Sequence, residues 1–211
     1  MEDKEGREVA DSSMEERILA CAERLFLSKG YNLTSMTEIA RESGCTQALV
    51  HYYYRTKENL FSRIFENKFQ FFIESIVDAE DEKLPFTEMI ALRTSRLFDL
   101  MAANPRLPFM LMSEFVISAD QRMSLRDRIV GLSTEATVRL GMLMKAEVES
   151  GRIRPTDTMD ITLNMFSLVV TFFIILPFLE ETGLVNDACR EEFIARRKQE
   201  ILRIITESLK P

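Results

Sequence analysis

Very little in this sequence could hold a metal ion or run a covalent mechanism. One histidine, His51, and three cysteines, Cys21, Cys45 and Cys189, are scattered over 211 residues. A metal site needs several such ligands at short, defined spacing, so none is expected. The odd, widely separated cysteines argue against a disulfide framework and fit a reducing cytoplasm. No glycine-rich phosphate loop, nucleophile elbow or His-Glu-x-x-His run occurs, and no motif assigns a carboxylate acid or base work. The sequence predicts a protein that is not an enzyme and needs no cofactor. With neither a signal peptide nor a lipidation motif at its start, it is expected in the cytoplasm.

Glycine and proline are sparse too, at seven and six residues. No stretch alternates apolar with polar residues, the pattern that would mark a half-buried strand. What remains is helical periodicity, which predicts an all-α protein. A first helix carries Ile18, Leu19, Ala22, Leu25 and Phe26, with Ser13 and Glu16 as a capping box and Gly30 as its stop. Short helices follow from Thr34 or Ser35 to Gly44 and from Thr46 to just before Lys57. A long helix then runs from Lys57 to about Glu80. Pro85, Pro105 and Pro108 mark breaks between helices at 86–102, 110–119 and 122–149. The last two helices span about 157–180 and 187–209.

Basic charge is in short supply as well. The net charge is -7, the wrong sign for a simple nucleic-acid binder. The acidity is uneven: residues 1–13 sum to -3, residues 14–60 to zero, and the rest to -4. The segment Met165 to Leu179 is free of charge, but it is short of the ~20 residues that cross a bilayer and contains Pro177. It predicts a buried helix and no membrane.

The informative stretch is Glu16 to Phe61: helix, short helix, glycine turn, short helix. Leu25, Phe26, Met36, Ile39, Ala40, Cys45, Val50, Tyr54 and Leu60 are spaced to close a small core. Such a module leaves one short helix facing outward for the major groove. The residues also resemble the TetR family. Gly30-Tyr31-Asn32-Leu33-Thr34-Ser35-Met36-Thr37-Glu38-Ile39-Ala40 is similar to the family's segment before the turn, and Ser43 to Phe61 to its recognition helix and Lys-Glu-x-Leu linker start. Ala48 and His51 depart from the glycine and tyrosine common in the family. The resemblance implies that Thr34 and Ser35 cap the second helix and touch phosphate. It further implies that Thr46, Gln47, Ala48, Leu49, His51, Tyr52 and Tyr53 approach bases or backbone, and that Lys57 binds a phosphate. By chemistry, Gln47 suits adenine and Leu49 a thymine methyl, while Val50 and Tyr54 should face the core.

Three segments follow: a disordered tail over 1–12, a helix-turn-helix DNA-binding domain over 13–60, and a helical effector-binding and dimerisation domain over 61–211. Twenty-three of the 27 Phe and Met residues lie beyond Leu60. Such residues suit an adaptable apolar pocket, for which Phe69, Phe72, Phe98, Met101, Met112, Phe115, Phe166 and Phe173 are the candidates. The two C-terminal helices offer a dimer seam through Ile161, Met165, Leu168, Val169, Phe172, Leu176, Phe193, Ile194, Ile201 and Ile205. The expected partners are a palindromic double-stranded operator, a second copy of the chain and an apolar or amphipathic small-molecule effector. Two other readings are a helical scaffold module and a DNA-binding dimer without an effector.

Overall fold

The computed structural model describes the backbone of residues 2–116 and 135–211. Side chains are described over 13–112, except Phe72 and Met110, and over 135–211. Among the described residues there is no strand, and the all-α expectation holds. The helices are α1 (Glu2–Lys29), α2 (Met36–Ser43), α3 (Gln47–Tyr54), α4 (Lys57–Ile76), α5 (Phe86–Ala103), α6 (Leu107–Val116), α7 (residues 135–149), α8 (Thr158–Glu181) and α9 (Arg190–Glu207), with a 3-10 turn at Ala79–Lys83. The chain divides into two compact units between Phe69 and Gln70, within α4.

Several boundaries differ from expectation. Ser13 lies inside α1 rather than capping it. The expected tail over 1–12 lies outside the residues whose side chains are described. Pro108 does not precede α6 but sits in its first turn, where the amide proton it lacks would have no helical partner anyway. The expected helix over 122–149 is described only from 135.

In the first unit α1 packs on α2 and α2 on α3. The predicted small core is present: Leu25, Phe26, Ile39, Ala40, Val50, Tyr54 and Leu60 are all buried. Burying side chains of this size contributes about 1.5–3 kcal/mol each.

In the second unit α5 packs on α8 and α9, and α8 also meets α6 and α9. At its centre Phe98 stacks on Phe172 at 5.8 Å and meets the edge of Phe173 at 4.8 Å, and Phe172 reaches Phe193 at 5.9 Å. Lys198 on α9 donates to both carboxylate oxygens of Asp99 on α5 at 2.8 and 2.7 Å.

Beneath α5, the 3-10 turn delivers an acid into the interior. Asp81 is 4% exposed and pairs with Arg96 and, at 3.7 Å, with Arg93 Nε. Arg93 also donates to the Asp78 carbonyl at 3.3 Å, whereas its Nε has no hydrogen-bond partner.

Helix α8 is longer than its charge-free stretch, at 24 residues, and is long and apolar enough to cross a membrane on those criteria alone. Its packing against α5, α6 and α9 accounts for the apolarity of the face turned inward.

The predicted dimer residues sort differently from expectation. Ile161, Met165, Val169, Phe172, Leu176, Ile201 and Ile205 are buried within the single chain. Leu168, Phe193 and Ile194 are half-buried. The buried seven fill the core of their own chain and leave little surface for a second copy. What α8 turns outward is Met159, Leu163, Ile175 and Phe178.

The predicted pocket residues divide between the two units. Phe98, Met101 and Phe173 are closely packed core, and Met112 is exposed. Phe69 stacks on Phe65 at 5.8 Å in the first unit, and Phe166 is half-buried. The side chains of Phe72 and Phe115 lie outside the described residues. An open cleft of about 570 Å3 in the second unit is instead polar, lined by Arg154, Asp157, Asp160, Asn164 and Ser208 among others.

Candidate nucleic-acid interface

Two short helices and the turn between them define the site. Ser35 caps α2, its hydroxyl accepting from the Glu38 amide at 3.1 Å. Thr46 caps α3 in the same way, accepting from the Leu49 amide at 3.3 Å. Each cap satisfies an amide that the first helical turn leaves unpaired, and so fixes where the helix starts.

Between them Gly44 ends α2 at φ 69°, a left-handed conformation that a side chain strains. A Cβ there would also lie 3.1 Å from Arg17 Nη2, which donates to the Ser43 carbonyl at 2.9 Å. Arg17 on α1 thus seals the end of α2 while the glycine turns the chain toward α3.

Helix α3 is two-sided. Val50 and Tyr54 are buried against the core, as their spacing predicts. Burial pushes the Tyr54 phenol up to about 12, so it remains neutral. The opposite side exposes Gln47, Ala48, His51 and Tyr52, with Leu49 and Tyr53 half-buried at its margins. Tyr52 and Tyr53 meet edge to face at 5.3 Å.

The helix ends abruptly at Arg55. Its φ and ψ are 56° and -53°, and the Thr56 amide donates to the Tyr54 carbonyl at 2.5 Å. This is a γ-turn of the positive-φ kind, which is rare and strained for a residue with a side chain.

Two predicted roles change. Thr34 is 2% exposed and its hydroxyl donates to the Gly30 carbonyl at 2.9 Å, so it neither caps α2 nor offers that hydroxyl to phosphate. Lys57 has a structural task at the start of α4: its ammonium donates to the carbonyls of Tyr31 and Thr34, each at 3.1 Å, and lies 4.2 Å from the Tyr31 ring centre. An ammonium has three protons, so one remains for a phosphate.

Tyr31 and Glu58 were not singled out by the sequence reading. Tyr31 packs with Phe26 and Phe61, at 5.8 and 5.0 Å, and its hydroxyl donates to Glu58 at 2.7 Å. The adjacent Lys57 and Glu58 therefore grip one tyrosine by its face and by its tip. The visible signal was an aromatic residue directly after Gly30 together with a Lys-Glu pair opening α4.

That tyrosine bond and the helix start hold the Glu58 carboxyl below its usual 4.5. The folded state thus keeps its proton off more readily than the unfolded chain. Its contribution is present above the ordinary carboxylate range and lost as pH falls through the lowered value. Tyr31→Phe should lower stability by about 1 kcal/mol or less at pH 7, since the pair is solvent-screened. The gap between the melting curves of both proteins should narrow as pH falls below the ordinary carboxylate range; a gap that stayed constant would show that the hydroxyl stabilises nothing through Glu58.

Residues 18–64, which contain α2, α3 and the start of α4, match the sequence profile described as bacterial regulatory proteins, tetR family. Over this stretch the chain carries a TetR-type DNA-binding domain.

The chain is a transcription regulator whose N-terminal helix-turn-helix is of the TetR type. The fatty acid metabolism regulator protein of Bacillus subtilis strain 168 is 24% identical over 138 residues, 65% of this chain and 70% of that one. The transcriptional regulator QacR of Staphylococcus aureus strain Mu50 is 38% identical over 61 residues, 28% of this chain and 32% of QacR. The crystal structure of the regulator FadR from Bacillus subtilis, in complex with stearoyl-CoA, superposes with a TM-score of 0.67 at 20% identity, covering 92% of this chain and 99% of FadR. That likeness is one of fold, and it extends across both units of this chain.

Proposed function

We propose that this regulator works as a homodimer on a palindromic operator and acts as a repressor that an apolar or amphipathic small molecule releases. The observation that carries the reading is the outward ridge of α3, where Gln47, Ala48, His51 and Tyr52 stand together in solvent on a two-turn helix anchored through Val50 and Tyr54. Side chains at the N-terminal end of such a helix reach base edges, and the helix starts capped by Ser35 and Thr46 present amides and hydroxyls to phosphates. Lys57, Tyr52 and Tyr53 add donors to the backbone contact. The domain division follows: DNA reading up to about residue 60, effector binding and dimerisation beyond it.

An effector with an apolar chain is supported by the Phe and Met content of the second unit, and by relatives whose names refer to fatty acid metabolism and to a stearoyl-CoA complex. Such a ligand shifts the DNA-bound population only by binding one conformation better than the other. Capture of genomic fragments by the full chain should enrich a palindromic sequence. Adding stearoyl-CoA as a first probe should raise the melting temperature and release that fragment. Enrichment of no common sequence would overturn the DNA assignment. An operator complex indifferent to a series of fatty acids and acyl thioesters would leave a regulator without this effector class.

A further inference from the structure

One side chain on the exposed ridge of α3 is held at both ends by its own protein. Gln47 Oε1 accepts from Thr37 Oγ1 at 3.1 Å, and Gln47 Nε2 lies 3.3 Å from His51 Nε2. His51 Nδ1 in turn lies 2.8 Å from the Arg55 carbonyl oxygen. Proton positions in this chain of contacts follow from what each group can do. A carbonyl only accepts, so His51 Nδ1 carries the proton. In the neutral ring Nε2 then has a lone pair, and the Gln47 amide nitrogen, which only donates, satisfies it. Turning the carboxamide over would set Gln47 Oε1 against that lone pair, so one of its two orientations is selected.

The carbonyl that orients the ring depends on the γ-turn. Carbonyls in a regular helix point toward its C-terminus, away from a side chain one turn earlier. At Arg55 the positive φ breaks that direction and brings its oxygen back to His51. The strained residue and the ring are parts of one device.

After these internal bonds Gln47 retains one N–H and one oxygen lone pair. That pair complements N7 and the N6 amino group of adenine in the major groove; guanine presents two acceptors at the same place, N7 and O6. A carboxamide free to turn over or to swing its NH2 between two acceptors discriminates less. We infer that His51 and Thr37 are positioning residues that fix the Gln47 carboxamide for adenine and against guanine at one position in each half-site. The inference rests on the DNA-reading assignment above. It gives His51 its effect through Gln47 rather than through a base of its own.

Selection from a random-sequence duplex library with the full chain tests it. The wild type should select adenine at one position per half-site, and Gln47→Ala should abolish that preference. His51→Ala and, independently, Thr37→Val should each reduce adenine-over-guanine discrimination there by about tenfold, with little change at other positions. Both residues are exposed, and melting curves should confirm intact folds. In a Gln47→Ala background His51→Ala should change discrimination no further, because its only route is gone. Undiminished adenine preference in both single variants, or an additional loss in the double variant, would overturn the inference. A wild type that selects no sequence would overturn the DNA assignment itself, and one that selects a motif without a Gln47-dependent adenine would overturn only this inference.

Discussion

Asp81→Ala is expected to lower unfolding stability by about 3–5 kcal/mol, the range for removing one partner of a buried ion pair. Asp81 is 4% exposed and faces Arg93, itself buried, and Arg96, which is partly exposed. Removing its carboxylate leaves the Arg93 guanidinium with a carbonyl at 3.3 Å and a distant Glu82 at 3.9 Å, in a place that water does not reach. The attraction of the pair is only part of the loss; the rest is a buried charge left with weaker partners. A double replacement, Asp81→Leu with Arg93→Met, should recover much of the deficit by removing both charges. Urea unfolding followed by circular dichroism measures both. If Asp81→Ala unfolded within about 1 kcal/mol of the wild type, solvent would have to reach this cluster freely.

The second large effect concerns the outer face of α8. Met159, Leu163, Ile175 and Phe178 are 56, 55, 44 and 61% exposed, with the small polar Ser167 and Thr171 in the same stripe. Large apolar residues grouped this way on one helix mark a surface that meets a partner, and small residues between them let two helices approach. We propose this stripe as the dimer seam, in place of the core residues named by the sequence. Leu163→Glu and Ile175→Glu should therefore yield a folded monomer. Operator binding should weaken by about 10²–10⁴-fold, because joining two heads makes the second contact intramolecular. Val169→Glu, by contrast, buries a charge in the core and should unfold the second unit. Sedimentation alongside operator titration separates these cases; dimeric Leu163→Glu protein with wild-type affinity would remove α8 from the seam.

The contrast on α8 shows what the sequence could and could not reveal. Apolar residues occur around its whole circumference, so periodicity identified a buried helix but not which face met its own chain. Ile161 and Leu163 look alike in sequence, yet one is fully buried and the other is not. In the first unit the chemistry was local, and the reading was correspondingly better. Ser35 and Thr46 mark helix starts, Gly44 marks the turn, and the pair Val50 and Tyr54 marks the inward face of α3. What the sequence did not show there is which partners the polar side chains take. Thr34 resembles a cap until the Gly30 carbonyl takes its hydroxyl, and the sequence does not show that Lys57 also donates to two carbonyls 26 and 23 residues earlier. Asp81 was the least legible, since an acid within the run Ala79–Lys83 looks solvated in any one-dimensional reading.

The brevity of α3 limits how much information one subunit can extract from DNA. Eight residues, at 1.5 Å each, give a helix about 12 Å long, which spans roughly three to four base steps of 3.4 Å. Two such heads specify about seven base pairs, a sequence that recurs by chance roughly once in 16,000, or some hundreds of times among the millions of competing sites of a genome. A regulator of this size therefore cannot find one promoter by base reading alone. In the proposed dimer the distance between the two reading helices acts as a further letter of the code, and a ligand that altered that distance would change the address without touching a single base contact.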